Sequence, residues 1–265
     1  MSALGKQTRL NRILACGRRR VLTVAVDHMI NYPTGLPAAL RALDSTLKGI
    51  VDGQADAVTM NKGAALRFMP AHAGQIPLII QSAALRPDED TFAATAEAEE
   101  VVALGADAIA VAMFVHCPQE IAYIRHLAEA VRAAERFGLP VVPHIYPLSS
   151  GDEQHTVVHD PESVYYAMRV GLETGADIIK VPYTGEVASF RDIVSGAPVP
   201  VVAAGGPRCA TLEDAVAMAR EVGQAGAAGA TMGRNVWGFE DIPLAIQRLR
   251  DALNAGEIKN GPGNA

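Results

Sequence analysis

Short apolar runs recur along the whole chain: VLTVAVDH (21–28), AVTMN (57–61), PLIIQS (77–82), AIAVAMF (108–114), PVVPHIY (140–146), IIKVPY (178–183), VPVVAAGG (199–206) and GATMGR (229–234). Most are bounded by Gly, Pro or Asp, and they do not alternate apolar with polar residues. A strand with one wet face alternates with period two, whereas a parallel strand covered on both faces reads as a continuous apolar run. The pattern therefore predicts buried parallel strands.

The segments between them carry helical signals. In DPESVYYAMRVGLETG, Asp160 is placed as an N-cap, Pro161 as the first helical residue, and Gly175 as the stop. In TLEDAVAMAREVGQAG, Thr211 and Asp214 have the spacing of a capping box. CPQEIAYIRHLAEAVRAAERFG reads as a long amphipathic helix ending at Gly138. A weak repeat, GQADAV, GADAIAV, GADIIKV and GAAGATMG, joins helix ends to following strands. Its glycine suits a left-handed C′ position, and its small alanines allow close helix–sheet packing. Strand and helix alternating in this way over 265 residues predict a single-domain (β/α)8 TIM barrel of the α/β class. The competitor, an open doubly wound sheet, lacks support because no G-x-G-x-x-G follows the first strand. Residues 1–20 read as a leading helix and turn that closes the barrel bottom, 21–255 as the catalytic barrel, and 256–265 as a frayed polar tail.

Composition narrows the function. A net charge of −6 argues against nucleic acid or anionic lipid as the main partner, while leaving room for a local anion pocket. Cys16, Cys117 and Cys209 have no C-x-x-C spacing, which fits a reducing cytoplasm better than a disulfide framework. The apolar patch at the N-terminus precedes its basic cluster, the reverse of a signal peptide, and no run approaches the ~18 apolar residues of a membrane span.

In a barrel, chemistry collects where strands end and βα loops begin. The predicted strands end in Asp27–His28, Asn61–Lys62 and Gln81–Ser82; the fifth carries His144 and Tyr146 on one face, and the sixth carries Lys180. The seventh and eighth end in AAGGPR and MGRN, where Gly205, Gly206 and Gly233 expose backbone N–H groups and Arg208 and Arg234 supply charge. Two Gly/Arg clusters on adjacent strand ends point to a phosphate cradle rather than to tight turns alone.

Lys180 sits among Ile178, Ile179 and Val181, so its ammonium must be paired, neutral or chemically used. One reading is a structural ion pair with Asp27. The other is an amine nucleophile, with Asp27 and Tyr146 across the barrel as proton-transfer groups. Free lysine titrates near ~10.4, so an amine that reacts near neutral pH needs about 4–5 kcal/mol from its surroundings, through desolvation or nearby cations. Lys62 and Arg234 are candidate cations, and Lys62 is also the rival nucleophile, disfavoured because it stands at a loop. Nucleophile, proton carriers and cradle in one cavity form the constellation of a Schiff-base aldolase acting on a sugar phosphate.

The pieces DHMINYPTGL, MNKG, GADIIKVPYTG, PVPVVAAGGPR and MGRNVW, between about Val21 and Arg250, resemble the class I aldolase family that groups archaeal-type fructose-bisphosphate aldolase, deoxyribose-phosphate aldolase and the phospho-autoinducer thiolase. The resemblance implies that Lys180 forms the Schiff base, that Asp27 and Tyr146 transfer protons, and that Gly205, Gly206, Gly233 and Arg234 cradle phosphate. It also implies no metal or other cofactor, a phosphorylated small-molecule substrate, and a homo-oligomer, in some members a large ring. Two positions depart from the pattern. His144 stands where many archaeal-type aldolases have Trp, and YPLSSG puts Leu148 where many have Arg, so a second anionic group on the substrate loses its partner.

The thiolase-like branch also resembles SFRDIVSGAPVPVVAAGG and would use His28 or His144 as a base, but Tyr146 belongs to the aldolase branch. A barrel that only binds a phosphorylated ligand would need the cradle and not Asp27, Tyr146 and Lys180 together. A metal-dependent aldolase is the remaining class; His155 and His159 in HTVVH have ligand spacing only if helical, and the β-branched residues between them favour a loop. His116–Cys117 reads as capping the fourth strand, and Trp237 as packing beneath the phosphate loop.

Overall fold

The computed structural model describes residues 3–17, 19–28, 32, 35–86, 91–149 and 156–255. The strands are β1 (Val21–Ala25), β2 (Ala57–Asn61), β3 (Leu78–Gln81), β4 (Ala83–Ala84), β5 (Ala93–Ala94), β6 (Ala108–Val115), β7 (Val141–Pro147), β8 (Ile179–Pro182), β9 (Val201–Ala204) and β10 (Gly229–Met232). Eight of them close a parallel barrel in the order β1-β10-β9-β8-β7-β6-β3-β2, which is the (β/α)8 architecture. Every predicted apolar run matches one barrel strand; the ends are trimmed by up to three residues, and β6 and β7 run one residue past theirs. The remaining pair, β4 and β5, forms an antiparallel hairpin above β3 that the sequence pattern does not announce.

The helices are α1 (Ala3–Ile13), α2 (Ala38–Arg41), α3 (Leu43–Asp52), α4 (Lys62–Phe68), α5 (Ala98–Ala103), α6 (Glu120–Glu135), α7 (Pro161–Thr174), α8 (Val187–Ser195), α9 (Leu212–Gln224), α10 (Arg234–Trp237) and α11 (Ile242–Leu253). The cap signals are realised. The Asp160 carboxylate accepts from the Ser163 N–H with Pro161 opening α7, Gly175 ends it at φ 96°, and Thr211 and Asp214 form the capping box of α9. The α6 helix stops at Glu135, and the chain turns through Gly138 at φ 58°. In the repeat, Gly105, Gly175 and Gly226 take positive φ; at the first copy Gly53 stays right-handed and Gln54 takes φ 57° instead.

The aspartates of the repeat have a structural task. Asp56 accepts the Leu22 N–H at 2.8 Å, Asp107 the Leu78 N–H at 3.1 Å, and Asp177 the Val141 N–H at 2.9 Å. Each ties the start of a barrel strand to the preceding strand of the barrel. Each also pairs with a basic residue of the N-terminal segment: Arg19 to Asp56, Arg12 to Asp107, Lys6 to Asp177. Burial raises the Asp107 pKa, against the pull of the Leu78 N–H and of Arg12 and Arg9. The same segment sends Ile13 into the barrel end, where it packs with Ala57, Ile79, Ala108, Ala110, Val142, Ile178 and Val202. The lower barrel is thus filled with apolar side chains, and polar inward residues gather above them.

Candidate active site

Two residues beyond Ile79, Val142 and Ile178 the inward positions turn polar. Thr23 and Thr231 share a 2.7 Å hydrogen bond, and Gln81, His144 and Lys180 are 3%, 2% and 5% exposed. Thr231, Gln81, His144 and Lys180 open into a cavity of about 280 Å³ lined also by Asp27, His28, Tyr146, Gly205, Gly206, Gly233 and Arg234. That size suits a small ligand.

Lys180 lies opposite His144 in the β7–β8 register, so both side chains point inward as neighbours. Its Nζ stands 5.9 Å from the centre of the Tyr146 ring, and it makes no hydrogen bond or ion pair with any described residue. A buried lysine with no direct carboxylate partner, facing a cavity, is what a nucleophile needs and what a structural ion pair would not leave.

Asp27 follows β1 in a short turn. The Asn61 side chain donates to its backbone carbonyl at 3.0 Å, and Gln81 Nε2 donates to its carboxylate at 3.1 Å. Burial works to raise the Asp27 pKa, but His28, Lys180, His144 and the Gln81 hydrogen bond together hold it below the ordinary carboxylate range. Asp27 is therefore a ready proton acceptor. His144 is pushed well below the usual histidine range, by burial first and then by Lys180. His28 is also lowered, chiefly by burial, with Lys180 and Arg234 adding to the effect against Asp27. The His28 Nδ1 lies 3.6 Å from Asp27, and its ring meets Trp237 edge-on.

The Gly/Arg side of the cavity is more differentiated than its sequence implies. Gly206 adopts φ 63° with open space beside its Cα, and neither its N–H nor that of Gly233 bonds to a described residue. The Gly205 N–H, by contrast, is spent on Thr231 O at 3.0 Å. A Cβ on Gly233 would meet His28 at 2.4 Å, so glycine is required there by packing. Arg234 lines the cavity with its buried Nε unpartnered. Arg208 does not line it: its Nε donates to Gly238 O at 3.0 Å and its guanidinium covers Phe239. Lys62 also stands outside the lining, at the start of α4, where it pairs with Glu100 at 2.6 Å; it supplies no cation beside Lys180.

Two residues not singled out from the sequence organise the site. Asn235, 1% exposed, donates to Gly205 O at 2.7 Å and Pro207 O at 3.0 Å, and accepts from Cys209 N at 2.7 Å. It staples the loop after β9 to the loop after β10. Gln81, noted only as a strand end, touches both Asp27 and His144. Trp237 is buried and donates to Ala25 O at 2.9 Å beneath this wall. Of the remaining candidates, His116 stacks on Tyr166, Cys117 lies 3.8 Å from Phe114 O, and His159 Nδ1 lies 2.8 Å from Tyr183 O; His155 falls outside the described residues. HTVVH is not helical where described: Val157 bridges Leu148 instead.

A closed parallel barrel whose strand ends gather a buried cavity lysine, a carboxylate, a phenol and a glycine-lined wall is the architecture of a Schiff-base aldolase. The DeoC/LacD family aldolase profile matches residues 21–238, and the chain belongs to that family. It is 34% identical over 239 residues to the 2-amino-3,7-dideoxy-D-threo-hept-6-ulosonate synthase of Halobacterium salinarum, covering 89% of this chain and 87% of the relative. It is 28% identical over 252 residues to the 2-amino-4,5-dihydroxy-6-oxo-7-(phosphonooxy)heptanoate synthase of Streptomyces griseus, covering 94% and 90%. Its fold superposes with a TM-score of 0.81, at 30% identity over 94% of this chain and 99% of the other, on an archaeal fructose-1,6-bisphosphate aldolase whose catalytic lysine is covalently bound to the carbinolamine intermediate of the substrate.

Proposed function

We propose that this protein is a metal-independent Schiff-base aldolase that makes or breaks a C–C bond beside the ketone of a substrate carrying one phosphate. The observation that carries the reading is Lys180, buried beside Tyr146 with no carboxylate partner among the described residues, in a cavity edged by Gly206, Gly233 and Arg234.

The Lys180 amine attacks the ketone carbon, and the carbinolamine loses water as Tyr146 supplies a proton. The resulting iminium withdraws electrons from the neighbouring C–C bond. As that bond breaks, Asp27 takes the proton of the departing carbon's hydroxyl, and the electron pair moves into an enamine. A proton returns to the Tyr146 phenolate, in net balance the one Asp27 has taken up; Tyr146 then protonates the enamine carbon, and hydrolysis of the resulting iminium by water releases the product and the free lysine. Condensation runs the same steps in reverse. The lowered pKa of Asp27 keeps it ionised, so that its carboxylate has a lone pair available for the hydroxyl proton.

The single phosphate is supported by the two ends of the cavity. One carries the N–H groups of Gly206 and Gly233, unbonded among the described residues, and the Arg234 guanidinium. Beyond Tyr146 the lining among the described residues is Ala83, Leu85, Phe114 and Val157, with no basic side chain. Leu148 is buried against Val157 and offers nothing to an anion. The two synthases it resembles carry names of seven-carbon amino-keto acids, one with a single phosphonooxy group. The carbonyl partner at the far end is accordingly read as an aldehyde without phosphate.

The test is a condensation panel with dihydroxyacetone phosphate and either glyceraldehyde 3-phosphate or unphosphorylated aldehydes, amino-acid semialdehydes among them. Faster turnover with the unphosphorylated partners is expected. Preference for glyceraldehyde 3-phosphate would return the enzyme to the bisphosphate branch.

A further inference from the structure

Gln81 is held by four hydrogen-bonding contacts that leave its amide one orientation. Its Oε1 accepts the backbone N–H of Ala83 at 3.2 Å and of Ala112 at 3.0 Å. Flipping the amide would set its NH2 against two buried donors and its oxygen against the Asp27 carboxylate, leaving several buried groups unsatisfied at once. The Nε2 group therefore faces Asp27 Oδ2 at 3.1 Å and His144 Nδ1 at 3.3 Å, one proton for each. A ring nitrogen that receives an N–H must present a lone pair, so the His144 proton belongs on the other nitrogen.

We infer that Gln81 fixes His144 as the neutral Nε2–H tautomer, which makes His144 a hydrogen-bond donor to the substrate and not a base. His144 lines the cavity beside Lys180, and with Nδ1 occupied by Gln81 its Nε2 is the nitrogen left for a ligand. What an Nε2–H beside the imine-forming lysine recognises is an oxygen lone pair on or next to the reacting carbon: the ketone oxygen, the carbinolamine hydroxyl or the adjacent hydroxyl. Burial and the nearby Lys180 both oppose a second proton on the ring, so the donor stays neutral. Gln81 is on this view a positioning residue that aims two groups at once. The inference removes His144 from the bases available to a thiolase-like mechanism. The donor's role toward a ketone rests on the proposed imine reading, whereas the tautomer itself does not.

Histidine-selective 15N labelling and long-range 1H–15N spectra near neutral pH read the tautomer directly, with the His144 signals assigned by their loss in His144→Asn. Wild type should show a pyridine-type Nδ1 and a pyrrole-type Nε2. A protonated Nδ1, alone or with Nε2, overturns the assignment. In Gln81→Glu the two backbone bonds to the side chain can persist, but an oxygen replaces the donor at Nδ1. The proton should then move to Nδ1, and kcat/KM should fall about 10- to 100-fold with loss of the donor. A Gln81→Glu protein that keeps the wild-type tautomer shows that Gln81 does not set it; Gln81→Met, which has no donor at all, makes the same test if Gln81→Glu does not fold. Borohydride trapping on the same samples separates the two claims. Trapped lysine with a protonated His144 Nδ1 sinks only this inference, and the expected tautomer without trapping sinks only the imine.

Discussion

Replacing Asn235 should loosen the phosphate wall without touching the lysine. Its side chain makes three hydrogen bonds to backbone groups, at 2.7 Å to Gly205 O, 3.0 Å to Pro207 O and 2.7 Å from Cys209 N. It is 1% exposed, so water cannot substitute for them. A hydrogen bond contributes about 1 kcal/mol net, and Asn235→Ala therefore costs about 3 kcal/mol. In a chain of this size about 1 kcal/mol moves Tm by roughly 2–4 °C, so a fall of roughly 6–12 °C is expected. Asn235→Asp is the sharper variant. It keeps the volume and the acceptor for Cys209, but replaces the NH2 group that donates to both carbonyls with one oxygen that faces them, and should cost at least as much as alanine. Differential scanning fluorimetry with and without inorganic phosphate measures both effects. The Tm should drop, and the gain in Tm from phosphate should shrink because the Gly206 N–H is no longer aimed. Either variant melting within about 1 °C of wild type with its phosphate response intact would refute the staple.

Tyr146→Phe should lower kcat about 10²–10⁴-fold in a steady-state cleavage assay, the usual effect of losing one proton-transfer group, while phosphate binding stays unchanged. Arg234→Ala should weaken a phosphorylated ligand about 10- to 100-fold in calorimetric titration and reduce kcat as well, since the phosphate anchors the reacting carbon. For pH, the signs follow from the folded-state shifts. His144 and His28 lie below their unfolded values, so the unfolded chain binds protons more readily, and the stability they contribute is full above about 6.5 and is lost as pH falls below it. Asp27, also lowered, adds a second loss as pH falls from about 4 through its own folded value. Chemical denaturation along a pH series should show stability declining from near neutrality downwards, and His144→Asn should flatten the upper part of that decline.

The barrel was legible because strands covered on both faces leave continuous apolar runs, and because caps such as Asp160–Pro161 and Thr211–Asp214 are local and act through the backbone next to them. Lys180, His144 and Tyr146 could be placed in one cavity from strand parity alone. What escaped depends on side-chain direction in loops and on long-range pairing. Arg208 and Lys62 stand at strand ends, but Gly238 O and Glu100 draw them away from the cavity. Asn235 and Gln81 are ordinary polar residues in sequence, and their importance comes from backbone groups roughly 30 residues distant, at Gly205 for one and Ala112 for the other. The repeat aspartates did leave a signal: Asp56, Asp107 and Asp177 recur ahead of buried strands, where a charge is expensive unless it is paired and hydrogen-bonded.

The measurement closest to the central claim is borohydride reduction in the presence of dihydroxyacetone phosphate, followed by peptide mass mapping. Lys180 as imine-forming nucleophile predicts one reduced adduct, on the peptide containing Lys180, absent from Lys180→Met and undiminished by prior treatment with chelator. An adduct on Lys62, an adduct that persists in Lys180→Met, or activity lost to chelator and restored by zinc with no adduct at all would contradict it.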